Sequence, residues 1–108
     1  MQISYADWNI KGRCLVLEDA ENAYGRTNAQ RLTAMIAEAE AFENAKDWHE
    51  FLGEDLVLAE TMSFHVAFSS VYTATFLAID LYQDVDQAGQ VDWATVQYVK
   101  LTAISGQE

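Results

Sequence analysis

Closely spaced carboxylates are the residues of this chain whose types and spacing could support chemistry. Glu40, Glu43, Asp47, Glu50 and Glu54 follow one another at steps of three, four, three and four residues. In a helix that spacing places all five on one face, which we call the acidic stripe. Carboxylates in such a row can ligate a divalent cation, exchange protons with a substrate, or attract a basic surface. The chemistry of the stripe therefore depends on which other residues accompany it.

The two histidines and the carboxylates do not form a recognisable metal or acid–base motif. A di-iron bundle needs Glu-x-x-His pairs on two helices, but a lysine and a methionine stand three residues before His49 and His65. Glu40 with Glu43 matches one half of a Mg²⁺-binding carboxylate pattern, yet no Glu-x-x-Asp follows on the apolar segment downstream. We expect His65 to be a hydrogen-bonded core histidine, and we predict no metal site and no cofactor.

Nucleophilic and nucleotide-binding motifs are also missing. Cys14 is the single cysteine, so it can form neither an intrachain disulfide nor a Cys/His zinc site, and we expect a small core residue. Ser69 and Ser70 lack the Gly-x-Ser-x-Gly turn of serine hydrolases, and the chain has no glycine-rich phosphate-binding loop. We therefore predict a protein that is not an enzyme and has no catalytic residues.

The charge of the chain points instead to a protein partner. Seventeen acidic residues against six basic ones give a net charge of −11, which disfavours direct contact with nucleic acid or with an anionic membrane. The same charge accelerates association with a positively charged protein. A solvated helix face usually mixes both signs, whereas Lys46 is the single base between Glu38 and Glu60. We expect a basic protein partner, most naturally one that itself binds nucleic acid.

Length and composition predict one cytoplasmic globular domain over residues 1–108. The hydrophobic content of 51% allows a packed core, and 108 residues are too few for two domains. The first ten residues lack the basic and apolar regions of a secretory signal. Residues 62–79 carry no formal charge, but hydroxyl residues dilute them and acids flank them, so we reject a membrane span there.

Hydrophobic periodicity predicts an all-α fold, a small antiparallel helical bundle of about four helices. Apolar residues at three- and four-residue steps indicate a first helix over residues 3–24, although a hairpin turning at Lys11 and Gly12 is an equally local alternative. A capping-box pattern precedes a second helix over residues 28–52, which would carry the acidic stripe. Its core stripe would comprise Met35, Ala39, Phe42, Ala45, His49 and Leu52.

The second half of the chain allows either helices or strands. Residues 54–83 are apolar nearly all round a helix, as expected for a buried central helix, but they contain many good strand formers. After a polar connection at residues 84–90, Asp92 could cap a last helix within residues 91–104, and a terminal strand is the rival. The alternative to the bundle is therefore an α+β fold, in which an N-terminal hairpin and a C-terminal strand pack on two helices.

Trp48 completes the predicted partner-binding surface. On the second helix it points about 110° away from the centre of the core stripe, beside the acids, where a tryptophan can anchor arginine-rich surfaces. Glu40 to Glu54 spans about 21 Å at 1.5 Å per residue, and the charges of the stripe are sparser than the phosphates of a nucleic-acid strand. The stripe would thus be a partial DNA mimic.

Two functional hypotheses follow from these patterns. The first is a small acidic inhibitor that docks the acidic stripe and Trp48 on a basic, nucleic-acid-binding protein. In size and charge such a protein resembles phage anti-defence proteins, including anti-CRISPR proteins, and immunity proteins. The second is a helical homodimeric regulatory or adaptor protein, in which residues 62–79 form the interface and the acids keep the chain soluble. Salt dependence separates them, because an electrostatic complex weakens with ionic strength and an apolar dimer does not.

Overall fold

The computed structural model describes residues 1–58, 62–79 and 93–106. Strand β1 (Gln2–Tyr5) is followed by four helices, α1 (Trp8–Leu15), α2 (Leu17–Tyr24), α3 (Arg26–Ala41) and α4 (Ala45–Leu52). A 3₁₀ turn (Gly53–Asp55) leads into β2 (Leu56–Leu58), β3 (Ser63–Ala67) and β4 (Tyr72–Ala78). A second 3₁₀ turn (Trp93–Thr95) precedes β5 (Tyr98–Gly106).

The described strands form one mixed sheet in the order β1-β5-β4-β3-β2. Neighbours are antiparallel except for β1, which lies parallel to β5 and pairs Ile3 with Val99. The β3–β4 hairpin turns at Ser69, whose Oγ accepts hydrogen bonds from the backbone N–H groups of Val71 (3.2 Å) and Tyr72 (2.9 Å). In this order β5 occupies an interior position, whereas β2 lies at an edge of the sheet.

One face of the sheet packs against the helices. Phe64 of β3, Phe76 of β4 and Leu101 of β5 are fully buried, and they join helix residues such as Leu32 and Trp48 in a single apolar cluster. The Phe64 and Phe76 rings stack with centroids 5.2 Å apart, and Trp48 meets the Phe76 ring edge-on at 5.6 Å. Because burying each such side chain contributes roughly 1.5 to 3 kcal/mol, this cluster fixes the helices on the sheet.

The predicted all-α helical bundle is wrong, and the α+β alternative fits the observed fold. The segment predicted as a central helix supplies β2, β3 and β4 where it is described; its residues 59–61 and 80–83, like the predicted connection at 84–90, lie outside the described residues. Within β3, Phe64 and Val66 are buried whereas the residues between and beside them are not. Alternation of this kind is typical of a half-buried strand. The segment therefore forms a strand, although its apolar composition also suits a buried helix.

The second predicted helix, residues 28–52, is divided into α3 and α4. Phe42 adopts an extended conformation at the end of α3, and Asn44 starts a new helix by accepting the Asp47 N–H on its Oδ1 atom (2.9 Å). Asparagine favours this capping position over a helix interior, because its side chain replaces a missing backbone acceptor. The interruption changes the rotation of the second half of the helix, so that Trp48 lies in the core.

Both ends of the described chain contribute strands. The first predicted helix, residues 3–24, is replaced by β1, α1 and α2. The alternative hairpin is not formed either, because Lys11 and Gly12 lie within α1. Residues 98–106 form β5, in agreement with the alternative of a C-terminal strand, while the predicted cap Asp92 lies outside the described residues.

Candidate protein-binding surface

The carboxylates of the acidic stripe are all exposed, but they do not lie on a single helix. Glu40 is in the last turn of α3, Glu43 in the α3–α4 connection, Asp47 and Glu50 on α4, and Glu54 in the 3₁₀ turn that follows. Within residues 1–58, 62–79 and 93–106, none of these carboxylates is paired with a basic side chain. Neighbouring bases therefore do not neutralise their charge in this part of the chain.

Trp48 is not a surface residue. Its side chain is 0% exposed, and its indole Nε1–H donates a hydrogen bond to Oε1 of Glu38 (2.8 Å). The ring meets Phe64 and Phe76 edge-on, with centroids 6.1 and 5.6 Å away. The expectation of a tryptophan at the rim of the acids is therefore wrong, and Trp48 instead holds α4 against the sheet.

The packing of α4 determines which residues it presents to solvent. Ala45, Trp48 and Leu52 belong to the core or pack against it. The exposed residues on the remaining surface of the helix include two acids and one aromatic side chain: Asp47, Glu50 and Phe51. Phe51 is 64% exposed, although its ring lies 5.4 Å from that of Phe42. An apolar ring is thus exposed directly beside unpaired carboxylates.

An open apolar groove lies where the C-terminus of α4 meets the edge strand β2. It has a volume of about 520 Å³ and is lined by His49, Gly53, Glu54, Leu56, Val57 and Leu58. Val57 is 56% and Leu58 39% exposed. Gly53 allows the abrupt turn from helix to strand, because its φ of 61° with ψ of −123° is strained for any residue with a Cβ atom.

The outer face of α4 and the groove follow one another along the chain at Gly53, and we group their exposed residues as one surface region. We call it the α4–β2 surface, and its members are Asp47, Glu50, Phe51, Glu54, Val57 and Leu58. It combines three apolar side chains with three carboxylates, all of them exposed. Such a surface can bind a partner that offers both apolar and basic groups.

Glu40 belongs to another part of the molecule. Burial, with smaller contributions from Cys14 and Glu40, raises the pKa of the Tyr5 phenol to about 12. The ammonium group of Met1, directly before β1, donates to the backbone carbonyl oxygen of Glu40 (3.5 Å), so Glu40 lies near β1. Strands β1 and β2 are at opposite edges of the five-stranded sheet, which at about 4.8 Å per strand separates them by roughly 19 Å. The C-terminal end of α4 therefore brings Glu50 and Glu54 towards β2, whereas Glu40 lies at a distance. Asp47 is in the first turn of α4, where the Ala45 N–H donates to the Val96 carbonyl oxygen (3.1 Å) just before β5.

The remaining candidate groups are Cys14 and the two histidines. Burial raises the pKa of the Cys14 thiol to about 11, so it stays protonated at neutral pH and is a poor nucleophile. His65 is half-buried on β3, with Nδ1 2.8 Å from the Thr75 hydroxyl, while His49 lines the groove. No three His, Cys, Asp or Glu side chains converge as a metal site would require, within the part of the chain that the structure describes.

The acidic stripe by itself does not point to the three apolar residues of the α4–β2 surface, which are Phe51, Val57 and Leu58. Phe51 lies four residues after Asp47 and one after Glu50, so its proximity to the acids is readable from helical spacing. Val57 and Leu58 carry no such signal, because a segment assigned to a buried helix gives no reason to expect apolar exposure. Their exposure follows from the position of β2 at the sheet edge.

Comparison of the chain with protein-family models, with curated proteins and with solved structures finds no match. None of the described helices is long and apolar enough to cross a membrane. The chemistry of the α4–β2 surface is therefore the basis for a functional proposal.

Proposed function

We propose that this chain is a non-enzymatic, cytoplasmic protein that binds a basic partner protein through the α4–β2 surface. The observation that supports this function is the exposure of Phe51 and Val57 in a segment that carries four exposed carboxylates from Asp47 to Asp55 and a single base, Lys46. Protein interfaces typically place apolar and aromatic residues at the centre and polar residues at the rim, and a few such anchors supply most of the binding energy.

The apolar and charged residues have different roles in this proposal. Because Phe51 and Val57 are already partly covered, burying the rest of each side chain in a complex contributes roughly 1 to 2 kcal/mol before the costs of association. An exposed ion pair contributes only about 0.2 to 1 kcal/mol. The apolar residues therefore set most of the affinity, whereas Asp47, Glu50 and Glu54 accelerate association and select a basic partner.

In its most specific form, the proposal is an inhibitor of a nucleic-acid-binding protein. Such proteins bind phosphates through clefts rich in lysine and arginine, and carboxylates placed in the cleft compete with the phosphates for the same groups. The three acids of the α4–β2 surface act together in this arrangement. Glu40 and Glu43 take part only if the partner is broad enough to extend along α3.

A homodimeric regulatory or adaptor protein is the second candidate, because exposed apolar residues favour it equally. Its interface cannot be a helix face within residues 62–79, since these residues contain β3 and β4. Val57 and Leu58 of one copy would instead meet those of the other. The same contact brings Glu50 and Glu54 of both copies together, and repulsion between like charges opposes it at low salt.

A charge-reversal experiment with a matched control tests the first candidate. The Glu50→Lys/Glu54→Lys variant changes the α4–β2 surface, and Glu18→Lys/Glu21→Lys makes the same change in net charge on α2. Each protein is used to capture basic proteins from host lysate at low and high salt, followed by mass spectrometry. The captured partner is then titrated against all three proteins.

We expect wild type and the α2 variant to bind the same partner at low salt and to release it at high salt. The α4–β2 variant should bind about 30-fold more weakly, because replacing two attractions of about 0.5 kcal/mol by repulsions costs about 2 kcal/mol in total. Equal binding by both variants would overturn the proposal. A salt-resistant dimer in sedimentation, dissociated by Val57→Asp, would support the second candidate instead.

A further inference from the structure

We infer that the α4–β2 surface binds an extended segment of its partner, which adds to the sheet as a new strand beside β2 and carries lysine or arginine around an apolar centre. This inference rests on the proposed function and specifies the conformation and chemistry of the bound partner. It follows from three features of the same region: the position of β2, the groove next to it, and the charges around it.

The position of β2 allows a strand to be added. β2 is the last strand of the sheet, and within the described residues its ladder partner is β3, with Val57 opposite His65. An edge strand presents backbone N–H and C=O groups on its outer side, and an extended peptide can pair with them at a distance of about 4.8 Å. Peptide recognition by strand addition obtains its affinity from these main-chain bonds.

The groove allows the side chains of an added strand to be recognised. Successive side chains of a strand point to opposite faces of the sheet. On the helix-facing side, an added strand would meet the groove at His49, Leu56 and Leu58. On the other side it would meet Val57, which is paired with His65 and points away from the buried Leu56. Apolar residues at neighbouring positions of the bound segment therefore find a contact on each face.

The charges identify a basic segment as the occupant. Glu54 and Asp55 directly precede β2, and both are exposed, as is Glu50 on α4. Lysine or arginine residues flanking the apolar centre of the bound segment would lie near these acids and pair with them. A second copy of this chain would bring an identical set of acids to the same edge, so charge complementarity favours a basic segment over self-pairing.

Two synthetic peptides test the inference on the unmodified protein. The first is a ten-residue peptide with a central run of four valines flanked by three lysines on each side, so that valines face both sides of the added strand. The second has the same sequence with N-methylated backbone amides, so that it keeps the charge and the side chains but cannot donate main-chain hydrogen bonds. Binding is measured by calorimetry, and amide hydrogen exchange of the protein is followed with and without each peptide.

We expect the unmodified peptide to bind and to slow exchange in β2, and the N-methylated peptide to bind at least tenfold more weakly. Equal affinities, or unchanged exchange in β2 when the first peptide is bound, would show a purely electrostatic contact and overturn strand addition. If neither peptide binds while the wild-type protein still captures a partner that the Glu50→Lys/Glu54→Lys variant loses, strand addition is overturned and the proposed function stands. A salt-resistant dimer that protects β2 without any peptide would likewise overturn it.

Discussion

Replacing Trp48 with phenylalanine should destabilise the protein much more than the same replacement at Trp8. Trp48 is fully buried and donates a hydrogen bond to Glu38, whereas Trp8 is 82% exposed and has the ammonium group of Lys11 5.1 Å from its ring centroid. Both substitutions keep an aromatic ring. Only Trp48→Phe removes a satisfied donor from the interior and leaves space between α4 and the sheet.

The expected loss for Trp48→Phe is about 3 kcal/mol. A hydrogen bond to a charged group contributes roughly 1.5 to 3 kcal/mol, and we take the lower value because Glu38 is only half-buried. The smaller ring leaves a void beside Phe64 and Phe76 that costs roughly another 1 to 2 kcal/mol. A total of about 3 kcal/mol lowers the melting temperature of a domain of this size by roughly 12 to 24 °C. Trp8→Phe should change the stability by less than about 0.5 kcal/mol.

Urea unfolding followed by circular dichroism measures both values. A third variant, Glu38→Gln, keeps an oxygen acceptor for the indole N–H and should lose less than Trp48→Phe. Equal free energies of unfolding for Trp48→Phe and Trp8→Phe would refute the assignment of Trp48 to the core. Folded Trp48→Phe protein should also retain partner binding, because the side chain does not reach the surface; a fully folded variant that has lost binding would contradict its exclusion from the α4–β2 surface.

Two further outcomes are expected, both measurable by the same unfolding assay. Asn44→Ala removes the cap on the Asp47 N–H and should cost about 1 kcal/mol, with faster amide exchange in α4 than in α3; unchanged exchange in α4 would contradict the capping role. Raising the pH from about 9 to about 11 should destabilise the protein, because the Cys14 thiol has a pKa of about 11 when folded and 9.0 as its ordinary value. Above about pH 9, the thiol loses its proton in the unfolded protein before it does so in the folded protein. The contribution of Cys14 to the free energy of unfolding is therefore constant below about pH 9 and falls as the pH rises from 9 through 11. Cys14→Ala should remove that part of the decline and leave the part due to Tyr5, whose pKa is about 12; an unaltered decline would show that Cys14 is not its source.

Local signals in the sequence predicted some elements and missed others for identifiable reasons. α3 was predictable because alanine and glutamate favour helices regardless of tertiary contacts. The break before α4 depends on the capping preference of Asn44. The residues before and after Asn44 both follow a helical pattern, so this local preference was not recognised as a break. The alternation in β3 and β4 was masked, because apolar residues such as Leu77 and Ile79 also stand at positions that do not face the helices.

The candidate site could be predicted only in part. The high density of acids in one segment correctly indicates exposure of Glu50 and Glu54, since unpaired carboxylates are rarely buried. Their grouping depends on the sheet order, which separates Glu40 near β1 from Glu54 beside β2 and cannot be read from local periodicity. The inward rotation of Trp48 has the same origin, because it follows from the helix break and from packing against the sheet.

The parallel pairing of β1 with β5 has a consequence for how the chain folds. The pairing joins position 2 to position 98, so nearly the whole described chain must be synthesised before the sheet can be completed. Until β5 has been synthesised, β1 has no strand beside it and one edge of β4 is unpaired. Helices α1–α4 and strands β2–β4 have been synthesised by then. Pairing between such distant residues slows folding, and open strand edges favour aggregation. On the ribosome, β5 is the last of the described strands to emerge, and its arrival joins β1 to β4.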